Sequence, residues 1–321
     1  RIGTHMGQKL GITTLVAVVT LVSQPVSAFA WSECGHHVVG ILAFQQIDRV
    51  TQSRVISLLR QHPRFEEDFV VPQGVMMQDL DHWYVGRAGY WPDVARRHPQ
   101  FNRPTWHYQL GASLVLGPGV TPPEDPGPLP ATATLDTRDL HIAQAVELCR
   151  RTLRSPQSTD QEKALALCWL IHLVVDAHQP CHAGSCYVAD LFPEGDRGAN
   201  SIPTKQKGNL HGLWDGLLGS RYSRSGINRR VGEITGLKPP GMSTTNELSP
   251  NVWLEESTAL AREFVYTEDV RLAVEATVRS GSDRLETIDL TEQYLKDAGR
   301  IAQERVKVAA ARLAMILAQD L

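Results

Sequence analysis

The chain has 321 residues, with 35 acidic and 32 basic side chains and a formal charge of −3. An acidic balance excludes a protein that grips a nucleic-acid backbone through a broad Lys/Arg surface, so an anionic substrate would need a local source of positive charge. The length and a hydrophobic content of 42% are enough for a sizeable buried core.

In chain order, the first predicted element is a targeting segment. Arg1 to His5 read as upstream of a start at Met6, and Lys9 precedes an uncharged apolar run from Leu10 to Val22. Ser23-Gln24-Pro25 breaks that run, and Ala28-Phe29-Ala30 places small residues two apart. This is the pattern of a secretory signal peptide. A membrane anchor is the alternative, but the run falls short of the roughly 20 residues that span a bilayer. The expected leader is residues 1–30, with a secreted or periplasmic mature chain beginning at Trp31. That leaves 321 − 30 = 291 residues and, with Arg1 and Lys9 gone, a charge of −5.

Residues 31–321 read as one mainly helical, all-α domain with long loops. Val38, Val39, Ile41, Leu42, Phe44 and Ile47 recur at helical spacing, continued by Val55, Ile56, Leu58 and Leu59. Asp136–Leu153 reads as a helix capped by Asp136 or Thr137. Gln161 to His178 is apolar on most faces, which predicts a helix in the middle of the molecule, ended by Pro180. Asn209–Leu218, Val252–Val265 and Leu290–Leu317 complete the expected helices. Gly117–Pro130, with six prolines and three glycines, is a loop, as is the polar stretch Glu194–Lys207. The proline-rich loop reads as a passive surface excursion, with the border of a substrate groove as the alternative.

Five cysteines remain after the leader: Cys34, Cys149, Cys168, Cys181 and Cys186. An odd number leaves at least one unpaired, and no CxxC pair suggests a thiolate metal site. Cys149 and Cys168 read as core residues; spacing does not decide whether Cys181 and Cys186 close a loop.

The predicted central helix holds an anomaly. His172 and Asp176, four apart, share one face of an otherwise apolar helix. Such groups are costly to bury unless paired or bound to metal. A buried His–Asp hydrogen bond would explain one such pair. Here His178 and His182 follow, a second HxxxD occurs at His211 and Asp215, and Asp93 and His107 sit in Trp-Pro-Asp and Thr-Trp-His contexts. Repeated His and Asp without cysteine suits zinc in hydrolytic work. His37, His62, His98 and His141 have no partner pattern and read as surface or satisfied residues, and His178 as structural or supporting a ligand. Asp79 and Asp81 rival Asp93 for a place in the set.

Six strings together carry a resemblance: Trp31-Ser-Glu-Cys-Gly-His36, Trp91-Pro-Asp93-Val-Ala-Arg96, Trp106-His107-Tyr108, His172-Leu-Val-Val-Asp176-Ala-His-Gln-Pro-Cys-His182, Asp196-Arg-Gly-Ala-Asn200 and Asn209-Leu-His211-Gly-Leu-Trp-Asp215. In this order they resemble the trinuclear-zinc, single-strand-specific nucleases of the S1/P1 type, which share a fold with bacterial zinc phospholipase C. The resemblance runs from Trp31 to about Asp215. It implies three zinc ions. One would take Asp93, His107, His172 and Asp176; a second the α-amino nitrogen and carbonyl of Trp31, His36 and the shared Asp176; a third His182, His211 and Asp215. Only cleavage before Trp31 creates that amine, whose ordinary pKa is about 8 and which must lose its proton to bind.

The implied activity is an endonuclease and 3′-nucleotidase acting on single-stranded DNA, RNA and 3′-nucleotides. A zinc-bridged hydroxide would attack phosphorus and leave a 5′-phosphate. Three zinc ions would carry six positive charges, of which Asp93, Asp176 and Asp215 offset three, so the site would be locally positive in an acidic protein. Arg96 would neutralise charge growing on the phosphate, with Asp176 bridging two ions, and Asn200 is a candidate phosphate or base contact. The expected enzyme is monomeric, with no stable membrane association after cleavage.

Two positions depart from the pattern: Leu110 stands where Asp or Asn is frequent, and Ala199 where Gly is usual. Leu110 cannot orient an attacking water, which keeps open a non-catalytic secreted zinc-binding protein. A phospholipase C-type phosphodiesterase is the other alternative. Asp215, where that branch resembles Glu, and the short gap from Trp31 to His36 favour the nuclease.

Overall fold

The computed structural model describes residues 31–321, so the expected leader, residues 1–30, lies outside the described residues. The first half contains α1 (Glu33–Phe44), α2 (Arg49–Leu59), the single turn α3 (Phe65–Asp68), α4 (Leu80–Ala95), α5 (Ile142–Arg154), α6 (Asp160–Ala177) and the single turn α7 (Pro180–Ala183). The second half contains α8 (Leu210–Asp215), α9 (Arg224–Thr235), α10 (Met242–Thr245), α11 (Pro250–Leu260), α12 (Glu268–Ser280) and α13 (Glu292–Asp320). The protein is mainly helical. No helix among the described residues is long and apolar enough to cross a membrane.

Helix α6 is the axis of the molecule, and its sequence explains both its ends. Thr159 and Glu162 form a reciprocal cap: the Thr159 hydroxyl accepts the Glu162 N–H at 3.2 Å, and the Glu162 carboxylate accepts the Thr159 N–H at 2.8 Å. Pro180 forces extended backbone on the residue before it, and Gln179 sits at φ −91°, ψ 116°. Between these limits every residue from Ala166 to Ala177 is buried. Helices α1, α2, α4, α5, α11 and α13 all pack against α6. Gly89 of α4 permits one of these approaches, since a Cβ there would lie 3.0 Å from Ile171 of α6 and 3.3 Å from the His36 carbonyl of α1.

Apolar side chains gather into two clusters. The larger surrounds α6; the smaller joins Val188, Phe192, Ile202, Trp214, Val265, Tyr266 and Val270. Helix α13 ties them together, with Tyr294, Ala298 and Ile301 in the smaller and Val306, Leu313 and Leu317 in the larger.

One expectation needs correction, and one short feature lies outside the helical pattern. The pattern predicts a helix from Asp136, but α5 begins at Ile142 with His141 as its cap. The carbonyls of Leu135 and Thr137 are occupied by Arg103 and by the indole of Trp106, so this stretch cannot also form a helical ladder. Within the mainly helical domain that the pattern predicts, β1 (Gly111–Leu116) and β2 (Gly184–Val188) add a two-stranded parallel pair. Parallel strands 73 residues apart in register (Gly111 opposite Gly184) can be joined only by tertiary structure.

The proline-rich loop is held to α5, where the Gln144 amide donates to the carbonyls of Pro126, Gly127 and Pro128 at 3.2, 3.2 and 3.3 Å. All five cysteines are buried and free.

Candidate metal centre

Eight His and Asp side chains from six segments converge in three groups: His36, His172 and Asp176; Asp93, His107 and His172; and His182, His211 and Asp215. Within each group the ligand atoms lie within 4.8 Å of one another, and every residue is buried. Helix α1 brings His36, α4 brings Asp93, α6 brings His172 and Asp176, α7 brings His182 and α8 brings both His211 and Asp215. His107 ends a 3₁₀ turn, Pro104–His107, that is packed in place by Trp106 against Trp169 at 4.8 Å between ring centroids.

Asp176 is the common neighbour. Its oxygens lie 3.6 Å from His36 Nε2, 3.4 Å from His107 Nδ1, 3.0 Å from His172 Nε2 and 3.8 Å from His182 Nδ1. The His36 and His172 rings stack with centroids 4.2 Å apart and planes 6° from parallel. His182 and His211 approach to 5.0 Å between centroids, so the third group adjoins the other two.

Backbone carbonyls fix the ring orientations. His172 Nδ1 lies 2.8 Å from the Gly89 carbonyl, His211 Nδ1 lies 2.6 Å from the Gly198 carbonyl, and His182 Nδ1 meets the His107 carbonyl. In each ring Nδ1 donates its proton, leaving Nε2 with a lone pair toward the group, the tautomer that a metal-binding histidine needs.

The polar atoms that remain without partners show what the site fits. His36 Nδ1 and Nε2, His107 Nε2, His182 Nε2, Asp93 Oδ2 and both Asp176 oxygens are buried without a hydrogen bond. Each such group costs about 1–3 kcal/mol. Burial, followed by repulsion from neighbouring histidines, holds His36 well below the usual imidazole range; burial does the same for His107 and His182. Burial also raises Asp176 and Asp215 well above the carboxylate range. Neutral imidazole donors around reluctant carboxylates form a nitrogen-and-oxygen set suited to a dication such as zinc.

A family model described as S1/P1 Nuclease matches residues 31–321. The chain belongs to the S1/P1 nuclease family. It is an enzyme that hydrolyses phosphodiester bonds, in a family that depends on zinc. The protein "Endonuclease 3" of Arabidopsis thaliana is 23% identical over 274 residues, covering 78% of this chain and 81% of that one.

Around the cluster of this S1/P1 nuclease, Arg96 Nε donates to Asp93 Oδ1 at 2.8 Å, leaving Asp93 Oδ2 facing the group. The rival Asp79 is held by Arg224 at 2.6 Å, and Asp81 is exposed at the start of α4. Trp31 is fully buried, and the next residue, Ser32, donates its N–H to the Asp215 carbonyl at 3.0 Å. Asn200 is half-buried; its amide donates to the Arg197 carbonyl at 2.8 Å, and it lines a groove with Phe192, Asn209 and Arg284. Leu110 packs toward Gly198 and shares a second groove with Pro123, Glu124, Asp125 and Pro126, so the proline-rich loop borders a cleft rather than standing apart.

The expectation for the unassigned histidines is corrected at two positions. His37 is buried between Trp83 and Tyr222 with neither ring nitrogen hydrogen-bonded, and His62 is buried with only Nδ1 satisfied. The motif reading also misses two residues that shape the site. Gln179 donates to Asp215 Oδ1 at 2.7 Å. Asp196, fully buried, accepts from Ser185, from the Cys186 and Ala199 N–H groups and from Tyr266 at 2.7 to 3.0 Å. That anchor holds Arg197, Gly198 and Ala199 at φ 62°, 64° and 65°, which aims the Gly198 carbonyl at His211. Gly198 is required there, since a Cβ would fall 2.0 Å from the Cys181 carbonyl. The available signal for Gln179 was a polar residue inside a ligand-rich, buried run. Asp196 had none beyond its place in a matching string.

Proposed function

We propose that this S1/P1 nuclease is a three-zinc endonuclease and 3′-nucleotidase acting on single-stranded DNA and RNA, exported and cut before Trp31. The observation that carries the reading is the contact between three buried His/Asp groups around one carboxylate whose two oxygens have no hydrogen-bond donor. Three groups support three ions. Asp93, His107, His172 and Asp176 would hold one; His36, Asp176 and the amino nitrogen and carbonyl of Trp31 a second; His182, His211 and Asp215 a third. His172 lies within reach of both of the first two groups.

Bound zinc would supply Lewis acidity and a water acidic enough to ionise near neutral pH. The chain itself does the rest. Asp176 would hold two of the ions and supply negative charge that offsets theirs. Arg96, held on Asp93, presents a guanidinium at the edge of the cluster, where a phosphate would gain negative charge. Asn200 lines a groove of about 370 Å³ with Phe192, Asn209 and Arg284, and an unpaired base, unlike one stacked in a duplex, would be free to enter it. Leu110 provides no polar atom toward a water, so orientation falls to the groups around Asp176.

The test is metal analysis of the purified protein beginning at Trp31, followed by assays with and without chelator. Three zinc ions per chain and chelator-sensitive hydrolysis of single-stranded DNA or RNA to 5′-phosphate products are expected. Activity on phosphatidylcholine alone would transfer the site to the phospholipase C class, and metal binding with neither activity would make it a storage or structural site. One extra residue ahead of Trp31 should lower zinc content; unchanged content would remove the amino terminus from the ligand set.

A further inference from the structure

The three-ion reading leaves open what holds the third group in shape, since His182 and the pair His211/Asp215 come from segments separated by nearly 30 residues. Gln179 touches both. It is fully buried, and it lies between Asp176 and His182 in sequence. Its backbone N–H donates to the Asp176 carbonyl at 2.9 Å, and its own carbonyl accepts the His182 N–H at 2.9 Å. Its side-chain oxygen accepts the Cys181 N–H at the start of α7, the turn that carries His182. Its side-chain nitrogen donates to Asp215 Oδ1 at 2.7 Å.

The bond to Oδ1 fixes the plane of the Asp215 carboxylate and sets its other oxygen, Oδ2, 3.3 Å from His211 Nε2. A neutral amide is suited to this task. A lysine or arginine there would add a positive charge that competes with a dication, whereas an amide fixes the carboxylate and leaves its charge intact.

We propose that Gln179 is a positioning residue for the third metal site, aiming Asp215 and seating the α7 turn that carries His182. The proposal rests on the three-zinc reading. Gln179 touches no reacting atom and acts through Asp215 and His182.

The experiment is zinc titration of the purified protein in a metal buffer, with melting curves in excess chelator. For Gln179→Met, which keeps the length and loses both side-chain bonds, the expected result is a third zinc bound 10- to 100-fold more weakly. The first two ions should be unaffected, and the melting temperature should fall further below that of the parent in zinc than in chelator, where only the two lost hydrogen bonds count. In an Asp215→Asn background, Gln179→Met should have no further effect on zinc content, because the site that it positions is already disabled. If Gln179→Met does not fold, Gln179→Glu keeps the acceptor for Cys181 N–H, removes the donor to Asp215 and should show the same selective loss. Three ions retained at unchanged affinity in the variant would overturn the proposal, as would an equal loss of stability with and without chelator. A parent protein that binds fewer than three ions would overturn the zinc reading itself, independently of the variants.

Discussion

Two buried polar regions meet at the C-terminal end of α6, and they deal with buried charge in opposite ways. On one side, His172 and Asp176 face His36, His107 and His182, and the carboxylate oxygens lack a hydrogen-bond donor. On the other, two residues beyond Asp176, His178 sits in a closed network. Its Nδ1 donates to the Val174 carbonyl at 2.7 Å, and its Nε2 accepts from Arg312 at 2.9 Å. Arg312, fully buried, makes a two-pronged pair with Glu256 at 2.7 and 2.8 Å, and Arg305 adds a third bond to the same carboxylate at 2.8 Å. Burial, reinforced by the two guanidiniums, holds His178 well below the imidazole range, so it is neutral and accepts. The contrast teaches a way to tell a binding site from a structural one. A structural network satisfies its own donors and acceptors, whereas several unsatisfied imidazoles and carboxylates within reach of one another form a set that a metal ion would satisfy.

The largest effect should follow from attacking the open region. Asp176→Asn removes the charge beside His36, His107, His172 and His182, and nuclease activity on single-stranded DNA should fall by more than about a hundredfold, since even changes to residues that only support metal ligands cost 10- to 100-fold. Chelator should lower the melting temperature of the parent and leave that of Asp176→Asn nearly still, as binding to the folded state stabilises by mass action. Equal chelator sensitivity in the two proteins would break the comparison.

Next in size is the closed region. Glu256→Gln strands Arg305 and Arg312 without their counter-charge, and about 3 kcal/mol of stability should be lost, the lower end for a broken buried pair because Glu256 is half-exposed. Urea unfolding should give the same loss with and without zinc. A loss that disappears in chelator would mean the two regions are one.

A histidine outside both regions, His62, calibrates the effect of burial. Burial holds His62 down to about 3, although Asp68 beside it pulls upward and Arg64 pulls down again; its ring packs on Trp91 and Phe69. In the unfolded chain it titrates near 6.5. Between those values the unfolded state binds more protons, so stability contributed at this position is present above about 6.5 and is lost as pH falls toward 3, by at most about 1.4 kcal/mol per unit. Replacing His62 with Gln should flatten the fall in unfolding free energy between pH 7 and pH 5 relative to the parent; parallel curves would refute this.

The smallest effect is expected in the loop that supports His211. Ala199 holds φ 65°, where a Cβ is unfavourable, so Ala199→Gly should raise stability by roughly 1 kcal/mol, measurable as a shift in denaturant midpoint. Zinc content should not change.

The sequence was informative where a residue type was chemically out of place. An imidazole and a carboxylate four apart in an apolar helix marked α6, and the repeat of that spacing marked α8. Apolar patterning from Gln161 and the stop at Pro180 put the limits of α6 within a residue or two of the observed Asp160–Ala177, and the Thr159 cap came only from the structure. His37 misled for the same reason in reverse, because nothing in its neighbours announced that α4 and Tyr222 would close over it.

Local patterning by itself determined that the chain is mainly helical and which helix lies at its centre, because helix periodicity and capping act within a few residues. The convergence of His36, Asp93 and His107 on Asp176, the pairing of β1 with β2, the start of α5 at Ile142 and the reach of Gln179 to Asp215 were decided only in three dimensions. Each depends on contacts between segments tens of residues apart, and such contacts are set by how whole helices pack, which no short window of sequence contains.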